Sequence, residues 1–336
     1  MDYRQIIATA WNITRENKRL IKWYAFAPAM IATAMGILEF LYQVIAFKKA
    51  NIFSNEHHAS FAYEILQFII AFFQNHTSLS IALIPLLIFL VFFSILFPPF
   101  AKAACVQIVA RIYNGQNVLL RDGVKYGSDS FMRMLGYEAT IKHFSVLLII
   151  TVFCFVIRTL GIEALRMLWL PFILAVILAL IISVLLTYTE YYIVIDNLSI
   201  SESIWKSLKM VLYYWEHTLL LMILMIIIGA RIILNAAFVL LIPSIILVST
   251  TYIAAITLYQ ISLVIGLILG GLAFVLASYI NAIVDIWSIS VWTITFLKLT
   301  AEGDKSARET EKNANKEILK IRETPALTPS ETQMAL

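Results

Sequence analysis

Four charged side chains interrupt apolar stretches that are long enough to cross a bilayer: Glu39, Arg158, Arg231 and Asp285. An ionisable side chain inside a span is costly, so it marks by default a pathway for a proton, an ion or a lipid head group. Glu39, Arg158 and Arg231 are expected at similar depths in the membrane, which predicts that Glu39 forms an ion pair with Arg158 or Arg231. Arg231 is the alternative partner of Asp285. The alternative is structural, and it is preferred: two ion pairs hold the helices together, or Arg158 reaches the outer head groups.

Metal chemistry and catalysis have weaker support in the sequence. Zinc-type ligands occur at Glu56, His57, His58 and His76, but adjacent histidines do not readily face one ion, so we expect solvated loop side chains. The sequence lacks the motifs of phosphate-binding loops, zinc peptidases and serine hydrolases. We therefore predict no catalytic residue, no metal, no cofactor and a non-enzymatic protein.

The composition explains why these charges stand out. The 336-residue chain is 61% hydrophobic and 14% charged, whereas soluble domains average about 45–50% apolar and about 25% charged residues. The two isolated cysteines, Cys105 and Cys154, indicate packing and not a redox or zinc motif. No basic stripe accompanies a recognisable nucleic-acid module, so no nucleic-acid partner is expected. The sequence predicts an all-α, polytopic membrane protein.

A span needs about 20 apolar residues, and the chain offers six such stretches. The first reads as a retained span and not as a cleavable signal. The alternative counts 236–256 separately, which gives seven spans and an external C-terminus. Most Lys and Arg residues lie in segments that six spans place inside, which favours six spans in the cytoplasmic (inner) membrane with both termini cytoplasmic. The predicted spans are 20–46, 80–100, 143–165, 168–194, 218–242 and 258–299.

Two further segments complete the predicted organisation. Residues 61–73 are apolar but too short to span, so an outer-surface or re-entrant helix is expected there. Residues 1–300 form the predicted transmembrane domain, and residues 301–336 form a charged cytoplasmic tail. A short solvated helix is expected near 305–322, with disorder in the rest of the tail.

A weak threefold repeat precedes the odd-numbered spans on the cytoplasmic side. Its copies are QIIATAWNITREN from Gln5, DGVKYGSDSFMRM from Asp122 and ESIWKSLKMVLYY from Glu202. One surface helix and two spans, used three times, would give six spans. The alternative is a coincidence of amphipathic helices. When the copies are aligned, two sets of residues coincide: Ile7, Val124 and Ile204, and the small residues Ala10, Gly127 and Ser207.

The third copy has the clearest helical pattern. Ser199 followed by Glu202 is a capping-box pattern, which predicts a helix start. Apolar residues then recur at helical spacing, so the helix should lie in the inner interface with its apolar face toward the acyl chains. The predicted apolar stripe is Ile200, Ile204, Leu208, Val211, Leu212 and Trp215.

These segments also carry a family resemblance. AWNITRENKRLIKWY at Ala10–Tyr24, EYYIVIDNLSISESIWKSLKMV at Glu190–Val211 and VDIWSISVWTITFLKL at Val284–Leu299 are similar to segments of the glycerophosphodiester phosphodiesterase membrane-domain family. The resemblance implies the six-span layout and a bacterial-type cytoplasmic membrane. The catalytic barrel to which that membrane domain is fused in other proteins does not occur in this sequence, so the resemblance implies no phosphodiesterase activity.

Three hypotheses about function follow. The first is a protein that binds or moves membrane lipids or other amphiphiles, because interfacial helices with basic rims and intramembrane arginines suit head groups. The second is a scaffold or accessory subunit that docks a protein partner through the tail. The third is a small-solute transporter, which the threefold pattern disfavours because such transporters use a twofold repeat.

Overall fold

The described part of the chain is all-helical. The structure, a computed structural model, describes residues 2–48, 67, 70–71, 73–75, 77–119, 121–141, 149, 151–156, 162–228, 230 and 259–323. Within these residues the secondary structure consists of helices, turns and short connections, with no strand. The predicted all-α class is confirmed for this part of the molecule.

The principal helices are numbered α1 to α9. Helix α1 is Tyr3–Glu16. Helix α2 begins at Lys18–Leu20, passes through a π-helical turn at Ile21–Ala25 and continues as Phe26–Lys48. The others are α3 at Thr77–Tyr113, α4 at Asp122–Ile141, α5 at Ile162–Leu185, α6 at Thr189–Val194, α7 at Ile200–Tyr213, α8 at Trp215–Ile228 and α9 at Tyr259–Glu323.

Within the described residues, four helical segments are long and apolar enough to cross a membrane. They are Lys18–Ile37, Ile88–Tyr113, Arg166–Val194 and Ile268–Gly303. Helices α7 and α8 together pass the same test but are bent by 93° at their junction, which makes a possible fifth span. Such lengths and compositions are those of a membrane protein.

The predicted spans agree with these helices where the chain is described. The ranges 20–46 and 80–100 lie wholly within α2 and α3, and 168–194 is covered by α5, a turn and α6. About half of each of the ranges 143–165 and 218–242 lies outside the described residues, as do all of 236–256 and most of the predicted surface helix at 61–73. The count of six spans therefore stays a prediction.

Helix α3 is longer than the sequence indicates. The predicted span stops at residue 100, after Pro98 and Pro99, but the helix continues to Tyr113. Proline removes one backbone donor and usually ends a helix in water. In a membrane bundle neighbouring groups can compensate, so internal prolines are tolerated. Lys102 and Arg111, which follow the predicted end of the span, therefore lie on a continuous helix.

Helix α9 crosses the predicted domain boundary at residue 300. It runs unbroken from Tyr259 to Glu323 and so includes residues 301–323 of the predicted tail. The residues after Thr300 include many good helix formers, the charged Glu, Lys and Arg as well as Ala. A helix already nucleated in the bundle can be extended by such residues at low cost.

The buried core lies toward one end of the bundle. Large apolar side chains on α5 and on the early turns of α3 and α9 are exposed, as expected for surfaces solvated by lipid. Three buried clusters instead gather the ends of these helices with α1, α4 and α7. Helix α9 contributes to all three, through Phe296 and Leu299, through Ala282 and Ile286, and through Trp287, Val291 and Ile294.

Helices α1 and α7 show how the amphipathic segments attach. The Asp2 side chain caps α1 by accepting from the backbone amides of Arg4 and Gln5. The Ser199 hydroxyl accepts from the Glu202 amide at 3.4 Å, which confirms the predicted start of α7.

The buried face of α7 differs from the predicted apolar stripe. It comprises Ser203, Ser207, Met210 and Val211, whereas Leu212 of the predicted stripe is exposed. Serine side chains are small, so they allow α7 to pack closely against the junction between α5 and α6.

Candidate functional site

A polar cavity of about 470 Å³ lies between α2, α3, α4, α6 and α9. Its size is within the usual range of small-molecule sites, about 300–1,000 Å³. Apolar side chains such as Pro28, Pro98 and Trp292 form part of the wall. The polar lining residues are Tyr24, Lys102, Glu138, Thr187, Glu190, Tyr191, Asp285 and Ser288.

Charged groups dominate the lining. The Lys102 ammonium forms an ion pair with the Glu190 carboxylate, and Glu138 and Asp285 are close enough to act on it electrostatically. The described lining thus holds three carboxylates and one ammonium. If all are ionised, the site has a surplus of two negative charges. In a surrounding of low polarity such a surplus attracts cations strongly.

Helix α3 supplies the positive side of the site. Pro98, Ala101, Lys102 and Cys105 recur three or four residues apart, so they share one face of α3. Pro98 and Pro99 lack the amides that would bond the carbonyls one turn earlier. The helix nevertheless continues, and it carries Lys102 to the same depth as α6.

Glu190 owes its position to the junction between α5 and α6. Residues 186–188 form a turn between the two helices. The Ser207 hydroxyl of α7 donates to the Leu185 carbonyl at 2.8 Å and accepts from the Tyr188 amide at 3.2 Å. One side chain thus serves both free backbone groups. Because α6 restarts immediately after this junction, Glu190 faces Lys102.

Helix α2 contributes through its π-helical turn, which contains the lining residues Tyr24 and Ala25. Single π turns are often found at functional sites. Gly123 of α4 leaves room for the tyrosine, since a Cβ there would lie 2.7 Å from the Tyr24 hydroxyl.

Helix α9 carries Asp285, and close to this residue it is hydrogen-bonded to α2. The Asn281 amide, one turn before Asp285, donates to the Thr33 hydroxyl at 2.9 Å. Asp285 itself is exposed, and it lines the cavity. Its carboxylate is therefore available to a group that enters the cavity.

The four charges singled out from the sequence have different outcomes. Asp285 lies in the cavity, near Lys102. Glu39 lies on α2, but its side chain is outside the described part of the molecule. Arg158 and Arg231 also lie outside the described residues. The pairings predicted for these three residues therefore stay predictions.

Three charged lining residues were missed by sequence reasoning. Lys102 follows the predicted end of the span at residue 100, in the segment between two spans, where a charge is ordinary. Glu138 lies on an amphipathic helix, where a charge is unremarkable. Glu190 was detectable, because it lies inside the predicted span 168–194 and the rule applied to Asp285 applies to it equally.

The cavity's side chains suit reversible binding of a positively charged group, through carboxylates and hydroxyls. Within the described residues no group of three metal-binding side chains occurs. Glu56, His57, His58 and His76 lie outside those residues, so the expectation of solvated histidines is untested.

Comparison with known proteins adds no assignment. The chain has no match among protein-family models, curated proteins or solved structures. The resemblance to the glycerophosphodiester phosphodiesterase membrane-domain family therefore stays a prediction.

Proposed function

We propose that this protein is a non-enzymatic membrane protein that binds or moves an amphiphile, and that the cavity holds its positively charged head group. The observation that carries the proposal is the surplus of carboxylates in a cavity among membrane-type helices. An entering ammonium group would offset that surplus.

The distribution of charge supports a cationic ligand over an anionic one. Lys102 is already engaged by Glu190, so an anion would have to displace a carboxylate. A cation would meet Asp285, which is exposed toward the cavity. Charges in a membrane interior are retained only when paired or functional, and a ligand supplies the pairing.

The surroundings of the cavity support an amphiphile over a small solute. Pro28, Ala32 and Trp292 line the cavity beside its charged groups, and α3, α5 and α9 present exposed apolar side chains outside it. A chain attached to the head group would find apolar surface on leaving the cavity.

The proposal includes the six-span architecture in the inner membrane, built from three copies of a surface helix and two spans. Burial supports this repeat, because three positions at helical spacing, four and then three residues apart, are buried in every copy when the copies are aligned as above. Helices α1, α4 and α7 thus dock with equivalent faces. The aligned buried residues are Ile6, Gly123 and Ser203; Ala10, Gly127 and Ser207; and Ile13, Ser130 and Met210.

The test compares two spin-labelled probes of equal chain length, an alkyltrimethylammonium and an alkyl sulfate, with the protein in proteoliposomes. We expect the cationic probe to show the larger immobilised fraction. Asp285→Asn should weaken its binding about fivefold to tenfold, or about 1–1.4 kcal/mol, because one attracting charge is lost and the Lys102–Glu190 pair is left intact. Glu16→Gln removes an exposed carboxylate of α1 and serves as the matched control.

Two results would reject this function. Equal binding of both probes, or equal loss in Asp285→Asn and Glu16→Gln, would show that the cavity does not select the head group. If tetramethylammonium displaces the cationic probe at equal concentration, the alkyl chain contributes nothing and the small-solute transporter is favoured.

A scaffold is the second candidate, and the length of α9 favours it. The helix continues about 30 Å beyond Gly303, to Glu323. A helix that extends so far from the apolar part of the chain offers a docking surface for a protein partner. Co-purification of one stoichiometric polypeptide, lost when the residues after Thr300 are deleted, would support this candidate.

A further inference from the structure

A second cavity, of about 520 Å³, has the opposite charge. It lies at the C-terminal end of α3, between α4 and the loop that follows α6. Arg111, Lys125 and Arg133 line it, with Asp129 as the acidic residue among its described lining. The formal surplus is two positive charges, which suits an anion.

Arg133 is held in place by backbone carbonyls. Its guanidinium donates to the Asn197 carbonyl at 2.6 Å, to the Leu198 carbonyl at 3.3 Å and to the Asp129 carbonyl at 3.2 Å. Carbonyl bonds orient the guanidinium without neutralising its charge. Arg133 therefore presents a fixed positive charge to the cavity.

Arg111 has a donor without a partner. Its guanidinium lies 4.2 Å from the centre of the Tyr126 ring, and one terminal nitrogen donates weakly to the Gln116 side chain at 3.4 Å. Its buried Nε has no hydrogen-bond partner within the described part of the chain. A buried donor of this kind ordinarily has an acceptor, and an anionic oxygen in the cavity could supply one.

An apolar groove lies on the N-terminal side of this basic cavity along α3. The groove has a volume of about 330 Å³ and is lined by a row of aromatic side chains on α3, with Phe131 of α4. The Phe93 and Phe97 rings stack at 4.6 Å, and the Phe100 ring meets the Phe131 ring edge-on at 6.4 Å.

The groove and the basic cavity share one face of α3. Phe100 lines the groove and Gln107 lines the basic cavity. Seven residues separate them, which is about two turns and about 10 Å along the helix. Lys102 lies on the other side of α3, where it lines the first cavity, called the acidic cavity because it holds Glu138, Glu190 and Asp285. Along one face of α3, an apolar groove is thus followed after about two turns by a basic cavity near the end of a segment of membrane-spanning length, which is the order that a lipid with an anionic head group requires.

We propose that the basic cavity and the groove bind one anionic phospholipid, with its phosphate at Arg111, Lys125 and Arg133 and an acyl chain along the phenylalanines. This site is separate from the acidic cavity and does not rest on the function proposed for it. The lipid is favoured over a free phosphate because the apolar groove lies on the same face of α3 as the basic cavity, about 10 Å along the helix.

The test is native mass spectrometry of the full chain in mild detergent, with phosphatidylglycerol, phosphatidylcholine or inorganic phosphate added. We expect phosphatidylglycerol to be retained preferentially. Arg111→Gln and Lys125→Gln should each reduce its retention about fivefold or more. Arg4→Gln removes an exposed arginine of α1 and should leave retention unchanged. Lys125 is exposed, so its variant keeps the test valid if Arg111→Gln does not fold.

The groove has its own pair of variants. Phe92→Ala removes an exposed ring of the groove and should reduce phosphatidylglycerol retention about threefold. Leu174→Ala removes an exposed side chain of α5 and should have no effect. Equal retention of phosphatidylcholine, or unchanged retention in Lys125→Gln, would overturn the proposal. Displacement of the lipid by millimolar inorganic phosphate, with no effect of Phe92→Ala, would overturn it in favour of a free-phosphate site.

Discussion

Replacing Gly127 by alanine tests how closely α4 packs on α3. Gly127 is buried, and a Cβ built there would lie 2.9 Å from both the Phe100 carbonyl oxygen and a ring carbon of Phe100. Ordinary contacts of a Cβ begin at 3.4 Å. The ring can rotate away, but the carbonyl belongs to the backbone of α3. The added methyl group must therefore push the two helices apart.

The expected cost follows from this contact. Overpacking a well-packed site typically costs about 1–3 kcal/mol. Alanine also favours the helix over glycine by about 0.5–1 kcal/mol, which partly offsets the cost. Gly36→Ala measures the helix preference of alanine alone, because Gly36 lies in α2 and a Cβ there meets no described atom within 4 Å. The free energies of unfolding of the two variants should differ by about 1–3 kcal/mol, with Gly127→Ala the less stable.

The assay is reversible unfolding in mixed micelles, followed by tryptophan fluorescence, with both variants and the parent measured together. Gly36→Ala should equal or exceed the parent in stability. If Gly127→Ala is as stable as Gly36→Ala, α4 and α3 are not in backbone contact at Phe100. The burial shared by Ala10, Gly127 and Ser207 would then lose its meaning as a docking feature.

Two further predictions use the same unfolding assay. Ser207→Ala should destabilise the protein by about 1–3 kcal/mol, because the Leu185 carbonyl and the Tyr188 amide lose their hydrogen-bond partner. The control Ser201→Ala changes an exposed serine and should alter stability by less than about 0.5 kcal/mol. Equal effects of the two substitutions would show that Ser207 does not stabilise the junction between α5 and α6. Burial, followed by the nearby Glu190 carboxylate, raises the pKa of Tyr137, so its neutral form favours folding and this stabilisation falls as pH rises above about 10. Tyr137→Phe should make the loss of stability between about pH 10 and 11.5 shallower, and an unchanged slope would refute that assignment.

Local sequence patterns predicted the amphipathic helices α1, α4 and α7. The polar start at Ser199 and the helical spacing after it identified α7, because a cap and an amphipathic stripe depend on residues a few positions apart. The orientation of α7 was less predictable. Ser203 and Ser207 are polar, yet both are buried. The Ser207 hydroxyl bonds the backbone of the junction before α6, and the Ser203 hydroxyl donates to the Ser199 carbonyl.

The candidate site was harder to predict because its members are distant in sequence. Asp285 stands out as a lone charge in an apolar run. Its neighbour Lys102 could be found only by knowing that α3 continues through Pro98 and Pro99, which a rule derived from soluble helices forbids. The ion pair between Lys102 and Glu190 depends on tertiary packing, which the hydropathy of the sequence does not reveal.

Helix α9 connects the cavity to a distant end of the molecule through one continuous helix. Asp285 faces the cavity, and Glu323 ends the same helix about 57 Å away at 1.5 Å per residue. A rotation of about 10° around the level of Asp285 displaces the far end by about 10 Å if the helix stays straight over that length. A small adjustment of the bundle around the cavity would thus become a large movement at Glu323, because α9 is continuous between the two.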